Sequence, residues 1–348
     1  MALLLDQIDD FVINTIPNFK RGKFTDIYQQ YQDYVSAKLM KDKIVQERGS
    51  YQIAFNLKKS TTGNARVSGL YDVNQTNVTD VMIQGTIPWR FLTSSWAYDI
   101  FEDMFQSDRE TIVRELMVRE MDAKYDMVEL NESLLWNAPT GPTDKRPWSL
   151  PFWMQADSSS SATEGDFTGG NPSGFTDGAA GVDTATYPGW KNYAFNYQQV
   201  TANDLVRKIK RALVFTRFRP PVPHPTLGYG ESMREIYTTY RVIEPLERLA
   251  ETRNDNLGAD VARYMNQVVV GGVPIKMVFY LEANDTADPL YGVDWEVMRP
   301  YIRKGCNMRR QGPFRSPNQR NVREVHYDTA MNYACFDRRR LWRAKKVA

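Results

Sequence analysis

Cysteine and histidine are nearly absent. The 348 residues hold two of each, Cys306, Cys335, His224 and His326, and none falls in a metal-ligand spacing, so neither a zinc site nor a disulfide framework organises the chain. The thiols are expected to stay reduced and idle. No apolar run approaches the length that spans a bilayer. The opening Met1–Leu5 is followed at once by Asp6, Asp9 and Asp10, which is too short an apolar run and too acidic for a signal peptide. There is no GxSxG elbow and no recognisable histidine triad. Neither charge sign is in excess: 44 Lys and Arg stand against 42 Asp and Glu, a net charge of +2, which gives no basis for a general nucleic-acid-binding protein. The expectation is a chain that is not an enzyme and carries no cofactor or metal.

Hydrophobic content of 42% and charged content of 25% are ordinary for a folded protein with a sizeable core. The most informative stretch runs from Ser107 to Ala138. Ser107 with Glu110 reads as a capping box. Beyond it Ile112, Val113, Leu116, Met117, Met121, Met127, Val128, Leu130, Leu134 and Leu135 fall on one broad side, and Glu115, Arg119, Asp122, Asp126, Glu129 and Ser133 on the other. One helix is expected over 108–137, ending before Pro139.

Ahead of it, a leader carries two short helical patterns, the second through Phe24, Ile27, Tyr28, Tyr31, Tyr34, Val35 and Leu39. Tyrosine suits a surface with one wet end, as at a subunit contact. Tyr51, Ile53, Phe55 and Leu57 alternate with polar residues as a strand does, and Thr61–Asn64 supplies a turn, so a long hairpin is expected with a less regular return limb through Val67, Leu70, Tyr71, Val73, Val78 and Ile83. Lys58, Lys59 and Arg66 lie on it. Such a ribbon is marginal alone in water and needs something to lie on, for which a neighbouring copy would serve.

After the helix, a Gly-, Ser- and Thr-rich run to Asp183 reads as a long surface loop; it has no lysine and opens no helix as a phosphate loop must. Thr201 with Asp204 announces a helix with Leu205, Ile209 and Leu213 inward and Arg207, Lys208, Lys210 and Arg211 outward. Pro220–Pro225 forms an extended linker. Ile236–Tyr240 reads as a strand and Val242–Arg253 as a helix with Pro245 in its first turn. Gly271 and Gly272 join two strands of a tight hairpin. Val325–Cys335 alternates over a long, half-buried strand. The fold class is mixed α+β.

Two functions of other classes stay open at this level. Paired carboxylates with Trp148, Trp153 and Trp190 stacking on sugars would make a carbohydrate-active enzyme. The basic residues from Arg299 to the end would make a nucleic-acid-binding protein.

Several phrases carry a resemblance. Pro172-Ser173-Gly174-Phe175, Tyr187-Pro188-Gly189-Trp190-Lys191-Asn192, Asn254-Asp255-Asn256-Leu257-Gly258, Gly272-Val273-Pro274-Ile275, Leu290-Tyr291-Gly292-Val293-Asp294-Trp295 and Cys335-Phe336-Asp337-Arg338-Arg339-Arg340 are similar to segments of the major capsid proteins of tailed double-stranded DNA bacteriophages, with the Hong Kong 97-like fold. The order of parts resembles that family as well.

The resemblance implies an N-terminal arm (1–47) crossing onto a neighbour and an extended hairpin loop (48–88) lying over the adjacent subunit. It implies a peripheral domain (89–155) with helix 108–137 as its spine, a glycine-rich loop with axial domain (156–317), and a C-terminal strand (318–348) returning to the peripheral domain. It implies self-assembly through pentamers and hexamers into an icosahedral head enclosing double-stranded DNA, formed in the host bacterial cytoplasm and kept in the virion. Partners would be other copies, a separate scaffolding protein, a portal and a decoration protein, with no membrane. An encapsulin-like nanocompartment shell is the alternative within the same fold. Candidate inter-subunit contacts are Tyr28, Tyr31, Tyr34, Lys58, Lys59, Arg66, Glu115, Asp122, Arg338, Arg339 and Arg340, the arginines pairing with carboxylates such as Glu115 or Asp122 of another copy.

Overall fold

The computed structural model describes residues 33–48, 51–61, 63–73, 76–101, 109–218, 233–251 and 268–347, and for 109–115 and 250–251 the backbone alone. Tyr28, Tyr31, Ser107, the Pro220–Pro225 linker and Asn254–Gly258 lie outside the described residues, and of Glu115 only the backbone is described.

Two sheets organise the chain. The first is built on β13 (Val322–Cys335), which pairs antiparallel with β4 (Arg90–Asp99) along one edge, from Val322 opposite Asp99 to Met331 opposite Arg90. Its other edge is shared, β12 (Arg309–Arg315) taking the first half and β11 (Met298–Arg303) the second, with β1 (Val45–Glu47) parallel to β11. The alternation expected of β13 holds only in its first half; from Thr329 to Cys335 both faces are buried. The reason is a second cover. Helix α2 (Arg109–Trp136) meets one face through Asn131, whose Oδ1 accepts from the Tyr333 hydroxyl, while Trp148 and Trp153 close on the same strand, Trp148 N donating to Asn332 Oδ1 and Trp153 Nε1 to Tyr333 O.

Strand β4 had no counterpart in the sequence reading. Leu92, Ser94, Trp96 and Tyr98 turn inward and Phe91, Thr93, Ser95 and Ala97 outward, so hydroxyl side chains on both faces blur the period-two signal.

Helix α2 is 28 residues long, about 42 Å at 1.5 Å per residue, and it overhangs the sheet. Ala123 and Met127 pack on Val325 and Tyr327, and Leu134, Leu135 and Trp136 enter the main core. Met117, Met121 and Leu130, expected on the covered side, are exposed.

The second sheet runs β5 (Thr163–Gly169), β6 (Asn192–Tyr197), β14 (Trp342–Lys346), β10 (Leu290–Asp294), β7 (Arg234–Thr238), β9 (Val273–Met277) and β8 (Val268–Val270). Helices α4 (Arg207–Phe215) and α5 (Tyr240–Glu251) lie on it, burying Ile209, Leu213, Val242, Ile243 and Leu246 against Phe195, Ile236 and Ile275, with Leu205 added from the turn just before α4. Gly271 and Gly272 have φ of +61° and +81°, the primed turn expected of the β8–β9 hairpin. Shorter α-helices among the described residues are α1 (Val35–Asp42), α3 (Leu150–Trp153) and α6 (Phe279–Asn284).

Four expectations are corrected. The glycine-rich run is not a surface loop: it contains β5 and buries Phe175, Ala179, Ala180 and Val182. Its glycines allow close backbone passage, since at Gly178 (φ +78°) a Cβ would lie 2.1 Å from Val182 O. Lys208 does not face solvent; it is buried, donating to Asn196 O and pairing with Asp204. Pro245 sits past the first turn of α5, which begins at Tyr240. The segment boundaries also shift, because β11 and β12 belong to the first sheet and the C-terminal β14 to the second.

Candidate subunit-contact surfaces

The hairpin strands β2 (Gln52–Lys58) and β3 (Met82–Pro88) pair in register from Gln52 opposite Pro88 to Lys58 opposite Met82. Their base is fixed to the body. Ile53 and Ile87 are buried, Phe55 packs edge-on to Phe336 with centroids 5.0 Å apart, and Thr86 N donates to Ala180 O at 3.1 Å.

The turn expected at Thr61–Asn64 is not where the chain reverses. Asn64 Nδ2 donates to Asn77 O and Asn77 N returns the bond to Asn64 Oδ1, both at 2.8 Å, and Arg66 Nη2 reaches Val73 O at 2.7 Å. These side chains carry the two limbs onward to a tip at Gly69–Asp72, where Gly69 N is held by Asp72 Oδ2 at 2.6 Å and Tyr71 has φ of +73°. Around that tip Val67, Leu70, Tyr71, Val73 and Val78 are almost fully exposed. Lys58 is exposed, whereas Lys59 pairs with Asp80 at 2.9 Å, a contact that raises the lysine pKa and lowers that of the carboxyl.

The described end of the leader lies on its own chain. Tyr34 donates to Glu129 Oε1 at 2.9 Å, Val35 and Leu39 are buried, and Ser36 N donates to Glu132 Oε2 at 2.6 Å. Glu132 is a distant carboxylate at the start of α1, and burial raises its pKa. The apolar side of 33–47 is thus covered by its own chain, and residues 1–32 lie outside the described residues. On α2 Asp122 is exposed, beside an apolar strip of Met117, Met121 and Tyr125 that no described element covers.

Arg338–Arg340 are also corrected. They form one turn of 3-10 helix, not a strand, with the Asp337 side chain accepting from Arg339 N at its start. Arg338 is fully buried, donating to Trp153 O and Gly170 O at 2.9 Å each and to Asn192 Oδ1 at 3.2 Å, and burial pushes its pKa down to about 10. Arg340 is buried against Asp294, and Arg339 clamps Asp337 while stacking 4.5 Å over the Phe218 ring. All three knit the crossing from β13 to β14, each guanidinium held by a group of its own chain.

Trp148, Trp153 and Trp190 are core residues, which removes the sugar platform of the carbohydrate reading. Among the described residues no group of three or more His, Cys, Asp or Glu could hold a metal ion, and no helix is long and apolar enough to cross a membrane.

No protein-family model and no curated protein matches the sequence. Solved structures do match. A chain of the capsid asymmetric unit of cyanophage A-1(L) superposes with a TM-score of 0.60 at 15% identity, covering 93% of this chain and 96% of that one. The capsid of Myoviridae phage XM1 gives 0.56 at 10% identity over 100% and 99%, and the capsid of a native GTA particle 0.52 at 12% over 94% and 95%. The chain has the Hong Kong 97-like capsid fold. With coverage of 93% or more of this chain in each case, the Hong Kong 97-like likeness takes in both sheets and α2 together.

Proposed function

We propose that the chain is the major capsid protein of a tailed phage, assembling through pentamers and hexamers into an icosahedral head around double-stranded DNA. In this reading the first sheet with α2 is the peripheral domain and its spine, the second sheet is the axial domain, and residues 48–88 are the extended loop. A separate scaffolding protein, a portal and a decoration protein complete the assembly, which forms in the host bacterial cytoplasm. The observation that carries the reading is the loop tip: Val67, Leu70, Tyr71, Val73 and Val78 have no cover from their own subunit. Exposed large apolar side chains gathered on one loop mark a contact site. In this reading the tip of one copy meets a different surface on the next, a heterologous contact that closes into a ring or shell where the rotation between copies closes. Many such contacts per subunit act together.

The test is expression with and without a scaffold and imaging of the product, alongside a variant lacking residues 63–78. The wild type is expected to give closed shells and the deletion a folded chain that gives none. Closed shells from the deletion would overturn the reading.

A further inference from the structure

The β12 hairpin carries an exposed row of cations that the subunit does not neutralise. Residues 300–323 contain seven Lys and Arg and no Asp or Glu, in a chain whose net charge is only +2. Three of the seven have a carboxylate nearby: Glu47 stands opposite Arg303 in the ladder, Asp328 opposite Arg309, and Glu120 feels the charge of Arg310. Lys304, Arg315, Arg320 and Arg323 have no ion pair among the described residues, and the first three of them are exposed. Arg315 and Arg323 are direct cross-strand partners, and Arg315 Nε donates to Arg320 O at 3.2 Å, which brings strand and turn together. Like charges opposite each other in a ladder are unfavourable. An anion from outside turns that repulsion into attraction.

The shape of the row selects among anions. Its strand part, Arg309–Arg315, is an edge strand of 7 residues, about 20 Å from end to end, a length that faces roughly six phosphates of one DNA strand; Lys304 lies in the turn before it, Arg320 in the bend after it and Arg323 on β13. The edge is closed to an added strand, since Pro313 has no N–H and the register slips between Gln311 and Phe314. The centre of a protein–protein contact is depleted of charge, whereas a nucleic-acid contact is polar and strongly positive. Around the hairpin only Met308 and Phe314 are exposed large apolar residues.

We infer that the β12–β13 hairpin, from Lys304 to Arg323, is the surface by which the subunit meets the phosphate backbone of double-stranded DNA, without regard to base sequence. The inference rests on the shell reading and names which face of the subunit turns to the packaged duplex.

The experiment measures binding of a 30-base-pair duplex to the full-length chain by fluorescence anisotropy across a sodium chloride series, for wild type and for R315Q/R320Q/R323Q. Each phosphate contact contributes about 0.9 to the log–log salt slope, so the triple variant is expected to lose roughly 2 to 3 from the slope, equally for duplexes of different sequence. Arg320→Gln alone, in the exposed turn, is expected to lose about 1 and serves if the triple variant does not fold. The same proteins are imaged for shells. Unchanged slopes in the variants overturn the inference whether or not shells form, and lost shells with unchanged slopes assign the hairpin to contacts between copies. Failure of the wild type to form shells is a separate result, which removes the shell reading and leaves the slopes to decide the DNA contact.

Discussion

Arg340 and Asp294 form an ion pair of 2.5 Å with both side chains out of water, 2% and 0% exposed. Asp294 ends β10 and also accepts from Met233 N and Glu296 N, each at 3.1 Å, so the pair ties the last crossing of the chain to the middle of the second sheet. Removing one partner of a buried pair strands the other charge, at a cost of about 3–5 kcal/mol. Arg340→Ala is expected to lose that much in urea denaturation. Arg340→Met should lose less than Arg340→Ala, because the methionine keeps the apolar packing of the buried side chain while Asp294 retains Arg234 Nε at 4.0 Å.

Gly292 faces Trp342 across the β10–β14 ladder, and a Cβ on it would lie 1.9 Å from Trp342 Cε2. The indole is buried and tilted against Phe195, so it cannot swing clear. Overpacking of this kind costs about 1–3 kcal/mol and at times more. Gly292→Ala is expected at the upper end of that range by urea denaturation, and adding Trp342→Phe should recover part of the loss.

Glu132 links stability to pH. Burial holds its carboxyl above the ordinary value of 4.5, so the folded chain binds this proton more tightly than the unfolded chain does. Its contribution is fully present below the unfolded value and is lost as pH rises through the raised folded value. The wild type should carry a component of stability that declines upward from about pH 4.5, and Glu132→Ala should lack it. The variant should also be less stable throughout, by about 1–3 kcal/mol for each orphaned donor, since Ser36 N and Trp136 Nε1 both donate to this carboxylate. Unfolding curves between pH 4 and pH 8 read both effects.

Much of the fold was legible where one local signal dominated. The helix expected over 108–137 runs from Arg109 to Trp136, and the Gly271–Gly272 turn is where it was expected. What stayed hidden depends on distant partners. Arg338 and Arg340 look like surface residues until Trp153 O and Asp294 are brought to them. The reversal at Gly69–Asp72 hides because Asn64 and Asn77 hold the limbs through side chains, leaving no strand period to read. The contact surface was half visible: Leu70 and Tyr71 could be seen to lack a strand pattern, but only the structure leaves them without cover.

Those two residues separate folding from assembly. Leu70 and Tyr71 are exposed, and the loop around them is held by Asn64, Arg66 and Asp72, not by their own side chains. Substitution at such a position usually changes stability by no more than about 0.5 kcal/mol. Leu70→Asp with Tyr71→Asp should therefore leave the denaturation midpoint in place while adding two charges to the surface proposed to be desolvated against the next copy. Sedimentation of the purified double variant is expected to show unassembled chain under conditions where the wild type sediments as shells. Shells at wild-type yield would mean that the tip contributes nothing to the contact between copies.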